Sequence, residues 1–274
     1  MKSPRDQASA FRVRHGLGDA PIRDMFQVVE DFKGAFVLSR KFPASQEAFT
    51  VHDEESGMTI IAVGTSDNYE RQRFSVAHEL GHLESGRMSA DVHSLPDFTS
   101  SKDETWAHDF ARHLLLPLGA VEKYLTNLGR SPLNVTIESL SDLVRVFGVS
   151  PQVAMIQLRD SKWISKRGFE EWPKRLPSLT SRGLAMQFGW ASEREGLVRA
   201  SLSPRRPTRV VKAATTAYQR GEISLEALAQ VCGVHDVTAF QLTLENSDIR
   251  PPATTEERSE RGPEDLSDLY RASP

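Results

Sequence analysis

The spacing of hydrophobic positions changes along the chain and predicts helices first, then strands, then helices again. Apolar side chains recur three and four residues apart over residues 8–15 and 19–32, the period of an amphipathic helix. The second segment opens with Asp19 as a candidate N-cap and Pro21 in its first turn, two features typical of a helix start. We therefore predict two helices before the pattern changes.

Residues 34–63 contain three short segments that are rich in β-branched and aromatic side chains and are separated by polar turns. We predict a small sheet of three strands or slightly more, with a hairpin connection through residues 54–57.

Helical periodicity returns at residues 67–86, where Asp67 opens a candidate capping box and Gly86 fits a helix stop. After a polar loop, residues 103–129 predict a further helix that is interrupted at Pro117. The predicted fold class is therefore α+β, with a small sheet and several helices around it.

The rest of the chain is mostly helical and predicts three regions. Residues 136–160 favour a helix-turn-helix-like segment that completes a first domain over residues 8–160. Residues 161–250 predict a mostly helical C-terminal region, and residues 251–274 predict a disordered tail because large apolar side chains are almost missing there. A basic stretch contains Arg199, Arg205, Arg206, Arg209 and Lys212, and we expect it to be a solvated linker, with contact to an acidic partner as the alternative.

The composition of the chain limits the classes of function that the protein can have. The 274 residues carry a formal net charge of −3, whereas a dedicated nucleic-acid binder is usually basic. The single cysteine, Cys232, cannot form an internal disulfide, which fits a reducing cytosol. Neither a membrane-spanning apolar run of ~20 residues nor a signal peptide is recognisable. We expect a soluble, cytoplasmic protein.

The strongest candidate chemistry is the sequence His-Glu-Leu-Gly-His at residues 78–82. On a helix, His78 and His82 lie one turn apart on the same face, so both imidazoles can reach one metal ion. Glu79 then flanks the ion and can take a proton from water, as this motif does in zinc metalloproteases. Gly81 lets another element come close beside the second ligand. A chance match on a solvated helix is the alternative, and the capped amphipathic helix around the motif favours the metal site.

A catalytic zinc ion usually has three protein ligands, so a third residue is needed. A histidine eleven positions after His78, as in the extended zincin pattern, would fall at Ser89, so that version fails. Glu104 is the best candidate because it begins a long helix that can hold a carboxylate rigidly beside the first one. The other candidates are Glu84, Asp91, His93, Asp103, His108 and Asp109.

Two blocks of sequence together resemble the ImmA/IrrE family of bacterial metallopeptidases. They are ERQRFSVAHELGHL, residues 70–83, and ETWAHDFARHLLLP, residues 104–117. The family pattern has an Arg-Phe-Ser/Thr step before the histidine-rich helix, and a later helix that a glutamate opens and Leu-Leu-x-Pro ends. The matching residues are Arg73, Phe74, Ser75, His78, Glu79, His82, Glu104, Phe110, Ala111, Leu114, Leu115 and Pro117. The resemblance covers residues 8–160 well and the remainder loosely.

The resemblance implies that His78, His82 and Glu104 bind Zn²⁺ and that Glu79 is the general base. It also implies a small zincin-like (minimal gluzincin) domain, in which the sheet packs on the histidine helix and helical modules follow. Members of the family are typically cytoplasmic proteases that cleave helix-turn-helix repressors of mobile elements or stress regulons. The implied function is zinc-dependent, site-specific cleavage of a regulatory protein, such as a repressor or an antitoxin, which relieves repression.

The chain departs from the family pattern at His108, where the family commonly has asparagine four residues after the ligand glutamate. His108 shares a helix face with Glu104, so it can orient a ligand through a hydrogen bond. It can also act as a fourth ligand and close the site, and we favour the first role. A peptidase also needs a hydrogen-bond donor for the developing oxyanion, and the candidates are His93, His108 and a distant tyrosine.

Two alternatives to a peptidase follow from other signals. Residues 143–158 have a helix-turn-helix pattern, as a DNA-binding regulator on a zincin scaffold would have. The second helix offers only Gln152, Gln157 and Arg159 for reading bases, so we expect this unit to pack against the peptidase core. The other alternative is a non-catalytic interaction protein with a closed zinc site, although such a site has no need of Glu79.

Overall fold

The structure is a computed structural model that describes residues 2–42, 48–86, 101–175 and 179–252. Over these residues the chain forms two compact units that divide after Pro207. The first unit contains a three-stranded sheet and ten helices, and the second contains three helices, so the predicted α+β class is confirmed. None of the helices within these ranges has the length and apolar character needed to cross a bilayer.

Helix α1 (Pro4–Arg14) begins earlier than predicted because Ser3 caps it, accepting a hydrogen bond from the amide of Asp6. Helix α2 (Met25–Lys33) begins later, after Asp24, whose side chain caps the first turn.

The predicted start of α2 at Asp19 and Pro21 was therefore wrong. Arg12 supplies the physical reason, since its guanidinium donates hydrogen bonds to the carbonyl groups of Gly18 and Ala20. These bonds tie the segment before α2 to α1 and keep it outside the helix.

The sheet consists of β1 (Phe36–Arg40), β2 (Ala48–His52) and β3 (Thr59–Gly64), in the order β1-β3-β2. Strand β3 pairs in parallel with β1 and antiparallel with β2, so the predicted three strands and the hairpin are confirmed. One face of the sheet belongs to the main core through Val37, Ile61 and Val63, all fully buried. Thr50 lies on this face too, because it is paired with Ile61 on the neighbouring strand.

Helix α3 (Tyr69–Ser85) carries the histidine pair and packs on the sheet, with Ala77 and Leu80 in the core. Its N-cap is Asn68 and not the predicted Asp67, since the Asn68 side chain accepts the hydrogen bond from the Arg71 amide. The predicted stop at Gly86 is confirmed, because this glycine ends α3 in the left-handed conformation, with φ of 65°.

Helix α4 (Ser101–Leu115) lies along α3, and α5 (Leu118–Asn127) follows it directly. Pro117 separates the two helices as predicted and is the N-cap position of α5.

Five further helices complete the first unit. They are α6 (Ile137–Phe147), α7 (Pro151–Asp160), α8 (Lys166–Arg175), α9 (Ser181–Gln187) and α10 (Ala191–Leu202). Leu184 and Trp190 belong to the same buried core as the sheet, and the indole of Trp190 donates a hydrogen bond of 2.9 Å to Ser141. The helices beyond residue 160 thus contribute to the core of the first unit, and the predicted domain boundary there stays a prediction.

Within the basic stretch, Arg205 packs against the sheet and helix α2 and is not part of a solvated linker. This residue exchanges two backbone hydrogen bonds, of 2.9 and 3.0 Å, with Ser39 on β1. Its guanidinium forms an ion pair with Asp24 at 2.9 Å and lies over the ring of Phe26. The segment therefore covers the β1 edge of the sheet.

The second unit contains α11 (Thr208–Gln219), α12 (Leu225–Cys232) and α13 (Val237–Asn246). These helices enclose a small core of Tyr218, Leu228 and Leu244. The predicted disordered tail begins two residues before the end of the described ranges, and most of it lies outside them.

Candidate metal centre

The two motif histidines and Glu104 meet at the contact between α3 and α4. The Nε2 atoms of His78 and His82 are 3.0 Å apart. Glu104, in the first turn of α4, places one carboxylate oxygen 3.1 Å from Nε2 of His78 and the other 3.3 Å from Nε2 of His82. Among the described residues, these three form the one group of side chains whose ligand atoms lie together as a metal site requires.

The distances fit a tetrahedral ion. Zinc bonds to nitrogen and oxygen of about 2.0–2.1 Å require neighbouring ligand atoms about 3.3 Å apart. The Nε2 atoms of the two histidines, 3.0 Å apart, are close to that edge length, and each carboxylate oxygen of Glu104 lies at a similar distance, 3.1 or 3.3 Å, from one of them. Three protein ligands also leave the fourth position of a tetrahedron for water or substrate. The donor set and its spacing therefore suit a catalytic zinc site.

Gly81 brings the two ligand-bearing helices together. A Cβ atom at this position would lie 3.1 Å from the Cα atom and 3.2 Å from the carbonyl oxygen of Ala107 on α4. It would also lie 3.2 Å from the ring of Phe110. A side chain on Gly81 would therefore push α4, and Glu104 with it, away from the histidines.

Glu79 lies beside the ligands and is only 8% exposed. Burial raises the pKa of its carboxyl group to about 7, against the opposing effect of a hydrogen bond from Thr50. The Thr50 hydroxyl, on the edge strand β2, donates this bond to Oε2 at 2.6 Å. A carboxyl group whose pKa lies near neutrality can both accept and return a proton, which is what general acid-base catalysis needs.

The histidine pair is held in the form that binds metals. Burial lowers the pKa of His78 to about 4, and the neighbouring imidazoles of His82 and His108 act in the same direction. Burial also lowers the pKa of His82, although the carboxylate of Glu104 opposes it. Both rings are thus neutral at physiological pH, as metal coordination requires.

His108 lies next to the site and is not part of the ligand group. Its ring stacks on Phe74 with centroids 5.5 Å apart, and it lies 4.5 Å from the ring of His78. Over the described ranges, its nitrogens do not join the atoms that converge in the ligand triangle. This geometry favours a role beside the ligands over closure of the site.

Several other candidate ligands are engaged elsewhere. Glu84 pairs with Lys33 and accepts a hydrogen bond of 2.6 Å from Gln7. Asp109 forms an ion pair of 2.8 Å with Arg112. Asp103 precedes Glu104 on α4 without joining the ligand group, and Asp91 and His93 lie outside the described residues.

Arg73, from the Arg-Phe-Ser step, has a structural role. Its guanidinium donates hydrogen bonds to the carbonyl groups of Ile22, Arg23 and Gly148. It therefore ties α3 to the segment before α2 and to the end of α6.

The sequence analysis missed Thr50, the partner of Glu79. Its only signal was the alternation of the strand, which places every second side chain on the face that α3 covers.

Of the three candidate base-reading residues in the helix-turn-helix-like pair, α6 and α7, Gln152 and Arg159 are exposed and Gln157 is used internally. Gln157 is fully buried and donates a hydrogen bond to the carbonyl group of Leu116. The guanidinium of Arg159 pairs with Asp160 and lies 4.7 Å from the ring centroid of Phe169. This packing supports the expectation that the unit is part of the peptidase core.

Two histidines one helical turn apart, a glutamate from the next helix and a buried carboxylate beside them define a zincin-like metal site. The sequence model of the IrrE N-terminal-like domain, Peptidase_M78, matches residues 32–159, a segment that contains the sheet and helices α3 to α7. Over this segment the match confirms the predicted similarity to the ImmA/IrrE family of metallopeptidases. A comparison with curated proteins gives no match.

Proposed function

We propose that the protein is a zinc-dependent, site-specific endopeptidase that cleaves a regulatory protein, such as a helix-turn-helix repressor or an antitoxin, and so relieves repression. The observation that carries the proposal is the triangle of His78, His82 and Glu104 with Glu79 beside it. A purely structural zinc site does not require a buried carboxylate in that position. The nature of the substrate rests on the family resemblance.

The three ligands would hold the ion, and His108 would stay beside them. A zinc ion held there would polarise the scissile carbonyl group and make a water molecule more acidic. The Thr50 hydroxyl occupies Oε2 of Glu79, so Oε1 is the atom that accepts the proton of the attacking water. Glu79 would then pass this proton to the leaving amine.

The β2 edge of the sheet can receive the substrate. Strand β2 pairs with β3 on one side, and no strand in the described parts of the chain pairs with its other side. An extended peptide can add to such an edge through main-chain hydrogen bonds. Because Thr50 lies on β2 and touches Glu79, a peptide there would run past the general base.

Metal analysis of purified variants tests the proposal. We expect about one zinc per chain in the wild type, loss of zinc in Glu104→Ala, and retention in Glu79→Gln and His108→Ala. The result that would overturn an open catalytic site is a wild type without metal, or a His108→Ala variant that loses zinc as completely as Glu104→Ala.

A second experiment identifies the substrate. The Glu79→Gln variant should keep zinc and hold its target uncleaved, so the captured protein can be identified by mass spectrometry. Wild-type protein should then cut the captured protein at one bond, and Glu79→Gln should not. Equal cleavage by both would rule out Glu79 as the general base.

A further inference from the structure

The end of α4 farthest from Glu104 borders a cleft. This cleft of about 250 Å³ opens between α1, the loop after it, and the junction of α4 and α5. Its walls include Arg5, Arg12, Asp19, His113 and Gly119. None of these side chains takes part in the metal centre.

His113 offers a hydrogen-bond donor to this cleft. The side chain is only 7% exposed, and its Nδ1 lies 3.2 Å from the amide nitrogen of Gln157. The amide orientation of Gln157 follows from its other contacts, because its oxygen faces Arg112 and its nitrogen donates to the carbonyl group of Leu116. The same nitrogen lies 3.4 Å from the carbonyl oxygen of Arg112, the longest of its three contacts, so we assign its two hydrogens to Leu116 and to Nδ1 of His113. An amide nitrogen only donates, so Nδ1 accepts and Nε2 of His113 carries the proton.

No residue in the described ranges accepts a hydrogen bond from Nε2 of His113. The atom is not sealed in the interior, and the residue forms part of the cleft wall. A nearly buried donor that reaches a cleft without a protein acceptor indicates a ligand that accepts hydrogen bonds there.

Two arginines of α1 give the cleft positive charge. Arg12 is 3% exposed, and burial lowers its pKa to about 10, so it is still a cation at neutral pH. Three of its five N–H donors are used by the carbonyl groups of Gly18, Ala20 and Leu114, which leaves two. Arg5 lies seven positions earlier, on the same helix face, and has no ion pair within the described part of the chain.

The N-terminus of α5 adds further donors. Pro117 stands at the N-cap and provides no side-chain hydrogen bond to the amides of the first turn. These amides and the helix dipole favour an anion. Asp19 is the one acidic group in the wall, with a carboxylate oxygen 3.5 Å from where a Cβ of Gly119 would stand. The negative charge of Asp19 offsets the positive charge of one arginine. The charge of the second arginine and the partial positive charge of the helix end are left in excess.

We propose that this cleft binds a phosphate group, as free phosphate or as a small phosphomonoester. Nε2 of His113, the guanidinium of Arg5 and the first amides of α5 donate to its oxygens. Val13 and Leu118 complete the cleft with apolar surface, which suits an organic substituent on the phosphate. The site is independent of the proposed peptidase activity.

The test is a titration of the full-length, zinc-loaded protein with inorganic phosphate at constant ionic strength. The ¹⁵N resonance of His113 Nε2 reports the cleft itself and separates binding there from binding to the metal. We expect a saturable shift in the wild type. Arg5→Ala removes one charge-assisted hydrogen bond and should weaken binding about tenfold. Asp19→Asn removes a repelling charge and should tighten it.

Arg14→Ala is the matched control, because it removes the same charge from α1 outside the cleft wall. It should leave the affinity unchanged. Phenyl phosphate distinguishes the two sources, since tighter binding than that of phosphate favours an organic ligand and equal binding favours free phosphate. The proposal is overturned if the His113 resonance shows no saturable shift, or if Arg14→Ala weakens binding as much as Arg5→Ala.

Discussion

At the scale of single residues, the contact between Thr50 and Glu79 links strand β2 to helix α3, which carries the two histidines. The hydroxyl holds one carboxylate oxygen at 2.6 Å and so fixes the direction of the other. Thr50→Val has nearly the same shape and no donor, so Glu79 loses this restraint. We expect cleavage of the captured target to fall ~10-fold or more in kcat/KM, since a hydrogen bond to a charged group contributes ~1.5–3 kcal/mol.

Thr50→Ser is the control for this prediction, because it restores the donor and should recover most of the rate. The zinc content of all three proteins should be equal, as Thr50 does not touch the ligands. A Thr50→Val enzyme with wild-type kinetics would show that Glu79 needs no help from the strand.

Residue spacing was enough to predict that His78 and His82 lie on one face of a helix with Glu79 beside them, because the helical period alone places them. Glu104 needed a further argument, that a helix start holds a ligand better than a loop does. The role of Thr50 could not be predicted, because its hydrogen bond to Glu79 spans 29 positions and depends on the register of β2 against β3. Contacts within one helix can be predicted from spacing, whereas contacts between elements depend on how those elements pack.

At the scale of elements, the close packing of α3 and α4 depends on Gly81. An added methyl group would stand 3.1 Å from the backbone of Ala107, and backbone cannot yield as a flexible side chain can. We expect Gly81→Ala to lower the free energy of unfolding by up to about 2 kcal/mol, because the usual overpacking cost of about 1–3 kcal/mol exceeds the helix-propensity gain of about 0.5–1 kcal/mol. Zinc should also bind more weakly, because α4 carries Glu104. Denaturant unfolding and competition with a zinc chelator measure the two effects.

Gly196→Ala is the matched control for Gly81→Ala. Gly196 lies within helix α10, and an added methyl group there meets no atom of the described residues within 4 Å. The same substitution should therefore stabilise the protein by ~0.5–1 kcal/mol through helix propensity. If both variants behaved alike, the tight contact at Gly81 would have no energetic consequence.

The predicted elements succeeded where local signals agreed and failed where a distant side chain intervened. Three strands and the stop at Gly86 followed from local composition and a single glycine. The start of α2 was misplaced because Arg12, from the preceding helix, binds the carbonyl groups of the loop. The basic stretch was misjudged at Arg205 because its partner, Asp24, lies 181 positions away. Secondary-structure propensity depends only on the residues of the segment itself, whereas the conformations of these two segments depend on contacts with residues elsewhere in the chain.

At the scale of the whole molecule, His113 should make stability depend on pH. Burial lowers its pKa from the ordinary 6.5 to about 4, with Arg112 and Arg5 acting in the same direction and Asp109 and Asp160 opposing. Between these two values the unfolded chain binds the proton and the folded chain does not. The contribution of His113 to the free energy of unfolding therefore rises with pH between about 4 and 6.5 and has its full value above that range.

The comparison of wild type with His113→Gln isolates this effect from other titrating groups. Glu79 acts in the opposite direction, since its pKa is raised and its contribution falls as pH rises through about 7. The difference in the free energy of unfolding between the two proteins should change by at most about 3 kcal/mol between pH 7 and pH 4. This amount corresponds to the lowering of the His113 pKa. Urea unfolding in buffers without phosphate measures it. A difference that stayed constant with pH would mean that His113 titrates normally in the fold.

Truncation tests how far the peptidase domain extends. The family match ends at residue 159, close to the predicted boundary at 160, yet Trp163, Leu184 and Trp190 lie in the core of the first unit. Loss of a large apolar core side chain typically costs ~2–5 kcal/mol, and the whole stability of a domain is ~5–15 kcal/mol. We therefore expect a chain of residues 1–160 to be unfolded or aggregated. A chain of residues 1–207 keeps its core complete and should unfold cooperatively and bind zinc as the full chain does. Circular dichroism and zinc content of both chains decide the matter, and a folded, zinc-binding 1–160 chain would establish the shorter domain.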